Sequence, residues 1–256
     1  PEAYIVNASV QLDDDLSTVA GHVLTHGTSA GEELVISLPE IDVSATAQTD
    51  ESGVARFKFE APLELWSPSN PKLYEVQVAS DSDQISDRLG FRTIAVEGTQ
   101  IFLNGEPIRF RGISTHEEPI GRDGVAYSRA DVDALFGEAK QLGVNFVRAA
   151  HYPYSRHAAK AADEMGLLLW EEVPIYWNIN WENPETLRIA RDQVARLVQR
   201  DWNRASVVVW SVANETTYSE PRMAFLNRLI QDVRELDATR LVSAALLGDT
   251  RRELQH

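Results

Sequence analysis

The chain has 256 residues, of which 43% are hydrophobic and 25% are charged, and its formal net charge at pH 7 is −15. This charge argues against nucleic acids and anionic membranes as partners, because both are polyanions. The absence of cysteine excludes disulfides and thiolate metal sites. No apolar run approaches the roughly 18 residues of a membrane span, and the N-terminus has no signal-peptide pattern. The composition therefore predicts a soluble globular chain, with cytoplasmic and secreted locations both left open.

The first part of the chain shows the alternation of short β-strands. About seven segments of this kind are separated by turn-forming residues, and no helical period of useful length interrupts them. The segments are Tyr4–Leu12, Thr18–Thr25, Glu33–Leu38, Val43–Thr49, Val54–Phe59, Leu73–Ala79 and Gln84–Phe91. This spacing predicts an immunoglobulin-like β-sandwich over residues 1–95.

A different pattern begins near residue 96. Gln100–Leu103 and Pro107–Phe110 flank Asn104-Gly105, a pair typical of a two-residue hairpin turn. Helical and extended segments then alternate. They are a strand at Arg109–Ile113, a helix at Ser128–Leu142, a strand at Val144–Arg148, a helix at Ser155–Met165, a strand at Leu167–Trp170, a helix at Pro184–Trp202, a strand at Val207–Glu215, a helix at Pro221–Leu236 and a strand at Leu241–Leu246.

This alternation is typical of a parallel sheet with helical crossovers. The glycine-rich phosphate turn that often marks an open doubly wound sheet follows none of the strands. A (β/α)8 barrel typically needs about 250 residues, whereas about 160 remain after the sandwich. Residues 96–256 are therefore predicted to form the N-terminal part, about five strands, of a truncated TIM barrel. Its unclosed edges predict association with another chain, including a homo-oligomer.

Polar side chains follow four successive strands of this predicted barrel. They are His116 after the first strand, Arg148 and His151 after the second, Glu171 and Glu172 after the third, and Asn214 and Glu215 after the fourth. The C-terminal ends of barrel strands share one mouth, where such enzymes do their chemistry. The pattern predicts a catalytic or ligand-binding site there.

These motifs resemble the retaining β-glycosidases of glycoside hydrolase family 2, which include β-galactosidases, β-glucuronidases and β-mannosidases. The resemblance covers nearly the whole chain, in order. The matching segments are Leu65–Tyr74, Phe91-Arg92, Asn104–Pro107, Arg148–Pro153 and Trp210–Glu215. The resemblance implies hydrolysis of a β-glycoside, a glucuronide or a galactoside, with the sugar left undecided.

The resemblance also implies residue roles. Retaining hydrolysis needs an acid/base carboxyl and a nucleophilic carboxylate about 5 to 5.5 Å apart. Glu215 matches the family's acid/base, Asn214 its ligand for the sugar 2-hydroxyl, and Arg148 the arginine that supports the nucleophile. The family's nucleophile follows the seventh strand, beyond His256. We therefore expect the isolated chain to be inactive.

Further substrate contacts are expected from the residues around these three. His116 and His151 are expected to contact the sugar or shape its site, Glu172 to form the site wall, and Tyr154 and Trp177 to line the mouth. No cofactor is expected, and no metal, because Tyr176 and Asn178 occupy the positions of the family's magnesium ligands. Two alternatives stay open, a non-catalytic carbohydrate-binding or scaffolding fragment and a metal-dependent hydrolase that uses both histidines.

Overall fold

The computed structural model describes residues 2–121 and 123–247, and the predicted C-terminal stretch 248–256 lies outside the described residues. The first part is the expected sandwich of two antiparallel sheets. One sheet consists of the first, second and fifth strands and the other of the fourth, third, sixth and seventh, in these spatial orders. The strands are β1 (Tyr4–Leu12), β2 (Thr18–His26), β3 (Glu33–Leu38), β4 (Val43–Gln48), β5 (Val54–Glu60), β6 (Tyr74–Ala79) and β7 (Gln84–Leu89), with a 3₁₀ turn at Pro39–Ile41.

The alternation read from the sequence determines the core of this sandwich. Side chains at every second strand position point to one face, and those on the inner faces are apolar. Val19, Val23, Leu34, Ile36 and Leu38 have no solvent exposure. The immunoglobulin-like sandwich predicted from the sequence is confirmed.

A small antiparallel sheet follows, made of β8 (Ile94–Glu97), β9 (Gln100–Leu103) and β10 (Glu106–Ile108). The turn between β9 and β10 has φ angles of 54° at Asn104 and 79° at Gly105, as a two-residue hairpin turn requires. Strand β8 was not predicted, because four residues carry too little alternation to be recognised. This sheet belongs to the first of two compact units, which ends at Ile108, whereas the sequence pattern puts the change near residue 95.

The second unit begins at Arg109 and contains a five-stranded parallel sheet whose strands lie side by side in the order of the sequence. A sequential parallel order with helical crossovers is that of a barrel and not of a doubly wound sheet. The five-strand partial barrel is thus confirmed. The strands are β11 (Gly112–Thr115), β12 (Phe146–Ala149), β13 (Leu168–Glu172), β14 (Val207–Thr217) and β15 (Leu241–Leu247), and the helices are α1 (Arg129–Gln141), α2 (Arg156–Met165), α3 (Pro184–Asp201) and α4 (Glu220–Leu236).

Three of the four helices among the described residues, α1, α3 and α4, begin at a residue whose side chain caps them. Ser128 accepts from the backbone N–H of Asp131, whose carboxylate accepts in return, which completes a capping box at α1. The Asn183 side chain accepts from the backbone N–H of Glu185 at the start of α3, and the Ser219 side chain accepts from that of Arg222 at the start of α4. Such caps each stabilise a helix by about 1 kcal/mol. No helix among the described residues is long and apolar enough to cross a lipid bilayer.

Strand β11 begins three residues later than predicted. Gly112 pairs with Phe146, and a Cβ atom at Gly112 would lie 2.6 Å from the Phe146 ring and carbonyl oxygen. Phe110 stacks on the same ring with 4.5 Å between centroids. The backbones of the two strands therefore approach each other closely from Gly112 onwards. Phe110, two residues earlier, packs on Phe146 but lies in the loop before the strand.

Candidate active site

Three strand ends bring Arg148, Glu172 and Asn214 together at the C-terminal edge of the parallel sheet. Arg148 on β12 donates from Nε to Glu172 Oε1 at 2.9 Å and from Nη2 to Glu172 Oε2 at 3.1 Å. The same Nη2 donates to Asn214 Oδ1 at 2.6 Å. This bidentate arrangement fixes the guanidinium plane and, through it, the Asn214 amide.

Glu172 is the anchor of this cluster. Its side chain has no solvent exposure, and that of Arg148 is 21% exposed. Besides Arg148, Glu172 Oε1 accepts from Trp170 Nε1 at 2.7 Å and from Ser211 Oγ at 3.1 Å. A buried carboxylate is tolerated when its oxygens are paired in this way. Glu172 therefore holds the guanidinium of Arg148 in place, and its role in the site wall stays a prediction.

Asn214 is 2% exposed, and its amide is oriented by its neighbours. Its backbone N–H donates to the Ile175 carbonyl at 2.8 Å, and Tyr176 forms a parallel bridge with it. Its Oδ1 is occupied by Arg148, while Nδ2 is buried with no hydrogen-bond partner among the described residues. A buried N–H donor without a partner is costly, so this geometry leaves Nδ2 prepared to donate to a ligand.

Glu215 lies beside Asn214 but is exposed. Its φ of 48° is unusual for a residue that has a side chain. Trp177, from the loop after β13, donates from Nε1 to Glu215 Oε2 at 3.1 Å. The indole ring is 65% exposed. An ionisable group and an aromatic face thus stand together at the solvent side of the cluster.

His151 is in contact with Arg148, and His116 lies next to His151. His151 Nδ1 is 3.2 Å from Arg148 Nη2 and 3.2 Å from Glu172 Oε2. The rings of His116 and His151 are 5.2 Å apart, edge to face, and Tyr152 lies beside His116. His116 is exposed, so it is accessible to a ligand. Both histidines therefore join the cluster.

Tyr154 does not lie at the mouth, and this expectation is corrected. It is 1% exposed and packs in the core of the second unit. Its hydroxyl donates to the Thr115 carbonyl, and burial raises its pKa above the ordinary value. The aromatic residue next to His116 is Tyr152, two positions earlier, which is only partly buried.

Glu171 is also outside the cluster, because neighbouring strand residues point to opposite faces. It is buried, with Arg200 Nη2 3.7 Å from its Oε1. Burial, together with the carboxylate of Asp201, holds the pKa of Glu171 well above its usual range. Glu171 therefore belongs to the packing between the sheet and its helices.

Glu117 has a role that the sequence interpretation missed. Its carboxylate is 5% exposed and accepts from the backbone N–H of Ser155, which precedes α2. A carboxylate at this position complements the positive end of the helix. Burial raises the pKa of Glu117 despite this contact. Glu117 therefore connects the loop that carries His116 to the start of α2. The sequence signal that could have revealed this role is its position directly after the candidate site residue His116.

Among residues 2–121 and 123–247, no group of three or more histidine, aspartate or glutamate side chains is placed to hold a metal ion. His116 and His151 approach each other, but the nearest carboxylate, Glu172, is engaged by Arg148.

Comparison with known proteins agrees with this architecture. Residues 94–253 match the family model for the TIM barrel domain of glycosyl hydrolases family 2, and residues 3–92 match a second model of glycosyl hydrolases family 2. A β-glucuronidase of Paenibacillus borealis is 31% identical over 245 residues, which are 89% of this chain and 40% of that protein. A β-galactosidase of Thermoanaerobacterium thermosulfurigenes is 33% identical over 187 residues, which are 70% of this chain and 25% of that protein.

A solved structure is similar over most of the chain. The β-galacturonidase of Eisenbergiella tayi, bound to galacturonate, superposes with a TM-score of 0.85 at 26% identity, over 96% of this chain and 47% of that one. The chain thus spans between a quarter and a half of the length of these relatives.

Proposed function

We propose that this chain, which belongs to glycosyl hydrolases family 2, provides the acid/base half of a retaining exo-β-glycosidase active site. The observation that carries the proposal is the Asn214-Glu215 pair. Asn214 is fixed by Arg148 and keeps a buried donor that has no partner within the described part of the chain, while the adjacent Glu215 is exposed. A sugar 2-hydroxyl bound at Asn214 Nδ2 brings the glycosidic bond next to the Glu215 carboxyl.

The proposed reaction has two steps. In the first, the protonated Glu215 carboxyl gives its proton to the glycosidic oxygen while the C1–O bond breaks and its electron pair stays on that oxygen. A carboxylate nucleophile forms the new bond to C1. In the second step, Glu215 removes a proton from water as the water oxygen attacks C1 and the nucleophile leaves.

The nucleophile of this reaction is expected outside the chain. Arg148 presents a rigid guanidinium to the mouth, and a guanidinium fork is suited to holding a carboxylate in place. His116 and His151 are proposed to contact the sugar, and the exposed Trp177 ring to lie against the substrate. No step requires a cofactor.

The proposed substrate is a β-glucuronide or a β-galactoside. The name of the Paenibacillus relative supports the glucuronide, because that protein matches 89% of this chain against 70% for the β-galactosidase. Hydrolysis of aryl β-glucuronides and aryl β-galactosides by the complete polypeptide, compared at equal concentration, distinguishes the two.

The acid/base assignment is tested by Glu215→Ala in the complete polypeptide. We expect an aryl glycoside with a very good leaving group to form the glycosyl-enzyme, which then accumulates because no base activates water. Azide needs no base, so it should restore turnover and give a β-glycosyl azide. Azide rescue with the same configuration supports the proposal, and full activity of Glu215→Ala without azide contradicts it.

The isolated chain tests the position of the nucleophile. We expect no turnover of aryl β-glycosides by residues 1–256 alone. Turnover that disappears on Glu215→Gln would mean that a nucleophile lies within this chain. Sugar binding without turnover by the complete polypeptide would favour a carbohydrate-binding fragment instead.

A further inference from the structure

The loop after β13 is attached along β14 by backbone hydrogen bonds. Val173 N–H donates to the Ser211 carbonyl at 3.2 Å, and Asn214 N–H donates to the Ile175 carbonyl at 2.8 Å. Tyr176 then bridges Asn214. This attachment carries Trp177, the next residue, to the side of Glu215.

Trp177 and Glu215 share an unusual backbone conformation. Trp177 has a φ of 58° and Glu215 a φ of 48°, both in the left-handed region that bulky residues rarely adopt. Conformations of this kind persist where the surrounding structure holds them, and they cluster at functional sites. Among the described residues from Arg109 onwards, Trp177 and Glu215 are the two non-glycine residues with a positive φ, and their side chains are in contact, 3.1 Å from Trp177 Nε1 to Glu215 Oε2.

We propose that Trp177 is a positioning residue that assigns different tasks to the two carboxyl oxygens of Glu215. The proposal rests on the acid/base function proposed above. An indole N–H donates and cannot accept, and in a protonated carboxyl the carbonyl oxygen is a better acceptor than the hydroxyl oxygen. Oε2 is therefore the acceptor in both protonation states, and the transferable proton is carried by Oε1.

This division of tasks serves proton transfer. When Glu215 acts as the acid, the O–H bond at Oε1 breaks as the glycosidic oxygen receives the proton, and the carboxylate that remains is still held at Oε2. When it acts as the base, Oε1 receives the proton from water. Without the indole the carboxyl group is free to turn, and only a fraction of its orientations present the proton to the substrate.

The contact itself is tested on this chain by the indole Hε1 resonances. In Glu215→Gln, a neutral amide oxygen replaces the carboxylate and is a weaker acceptor, so the Hε1 resonance of Trp177 should move upfield. Trp170 and Trp210 are matched controls, because they donate to Glu172 and Asp237 at 2.7 and 2.9 Å. An unmoved Trp177 resonance would overturn the proposal.

The positioning role is tested by kinetics of the complete polypeptide with Trp177→Phe, which keeps an aromatic ring and removes the donor. A leaving group that needs protonation, such as a simple phenol, should lose about tenfold in kcat/KM, since one net hydrogen bond is worth about that factor. A dinitrophenyl leaving group needs no protonation and shares only the loss that comes from the smaller ring, so the phenol should lose about tenfold more in the glycosylation step. Trp177→His, which retains a donor, should recover part of the loss.

The controls separate this inference from the function on which it rests. Tyr218→Phe removes a donor that follows the same strand but contacts Glu220, and both substrates should keep their rates. Equal losses for both leaving groups in Trp177→Phe, or no loss, would overturn the positioning role while Glu215→Ala still discriminates between them. If Glu215→Ala does not discriminate, the proposed acid/base function itself is refuted.

Discussion

The substitution Glu172→Gln tests how the site is held together. Oε1 of Glu172 accepts from three donors, on Arg148, Trp170 and Ser211, so the amide oxygen of Gln should take this place. The amide nitrogen then replaces Oε2, where it meets Arg148 Nη2 and His151 Nδ1 at the 3.1 and 3.2 Å positions. Two donors would face each other, and the guanidinium would lose its neutralising charge.

The expected loss follows from these contacts. Breaking a fully buried ion pair typically costs about 3 to 5 kcal/mol in unfolding free energy. Arg148 is 21% exposed and regains some hydration, and the three bonds to Oε1 are retained. We therefore expect a loss of about 2 to 3 kcal/mol, which lowers the urea midpoint of the second unit by about 1 M.

The assay is urea unfolding followed by tryptophan fluorescence, because five of the six tryptophans belong to the second unit. Glu185→Gln is the matched control, since Glu185 also receives a bidentate contact from an arginine but lies in solvent. Its midpoint should not change measurably. A Glu172→Gln midpoint equal to that of the control would refute the idea that the carboxylate anchors the cluster.

Three further predictions concern the second unit. Burial raises the pKa of Asp163 to about 6, so the folded chain binds this proton more tightly than the unfolded chain does. The free energy of unfolding should therefore increase as the pH falls from 6 towards 4, by about 3 kcal/mol at most. Asp163→Asn should remove this pH dependence from the urea midpoints. Gly112→Ala should lower the melting temperature by clash with Phe146, whereas Gly137→Ala, in open space on α1, should raise it slightly. Glu117→Ala should increase amide exchange in the first turn of α2 and cost about 1 kcal/mol.

Much of this fold was predictable because its signals are local. The alternation that builds the sandwich, and the serine and asparagine caps that start the helices, are properties of short segments. Placing polar residues at strand ends also depends only on where each strand stops. For this reason Arg148, Glu172 and Asn214 could be assigned to one mouth before any distance between them was known.

The features that escaped prediction depend on contacts between distant segments. Tyr154 was assigned to the mouth because its ring is of the right kind, but its orientation depends on Thr115, 39 positions earlier. The start of β11 depends on the close approach of Gly112 to Phe146. Neither contact is visible in the local sequence pattern. A single sequence therefore predicts that the strand or the aromatic residue is there, but not where the strand starts or which way the side chain points.

The Asn214-Glu215 pair shows why this distinction matters for the site. Neighbouring residues of a regular strand point to opposite faces, so a regular β14 would direct only one of the two side chains towards the mouth. The pairing of β14 with β15 changes register on both sides of Asn214, and Glu215 adopts a positive φ. Such irregularities redirect side chains in sheets. The Asn214-Glu215 motif therefore depends on this irregularity in β14. The attachment of the Trp177 loop to Asn214 supports the irregular backbone at the place where the sugar is proposed to bind.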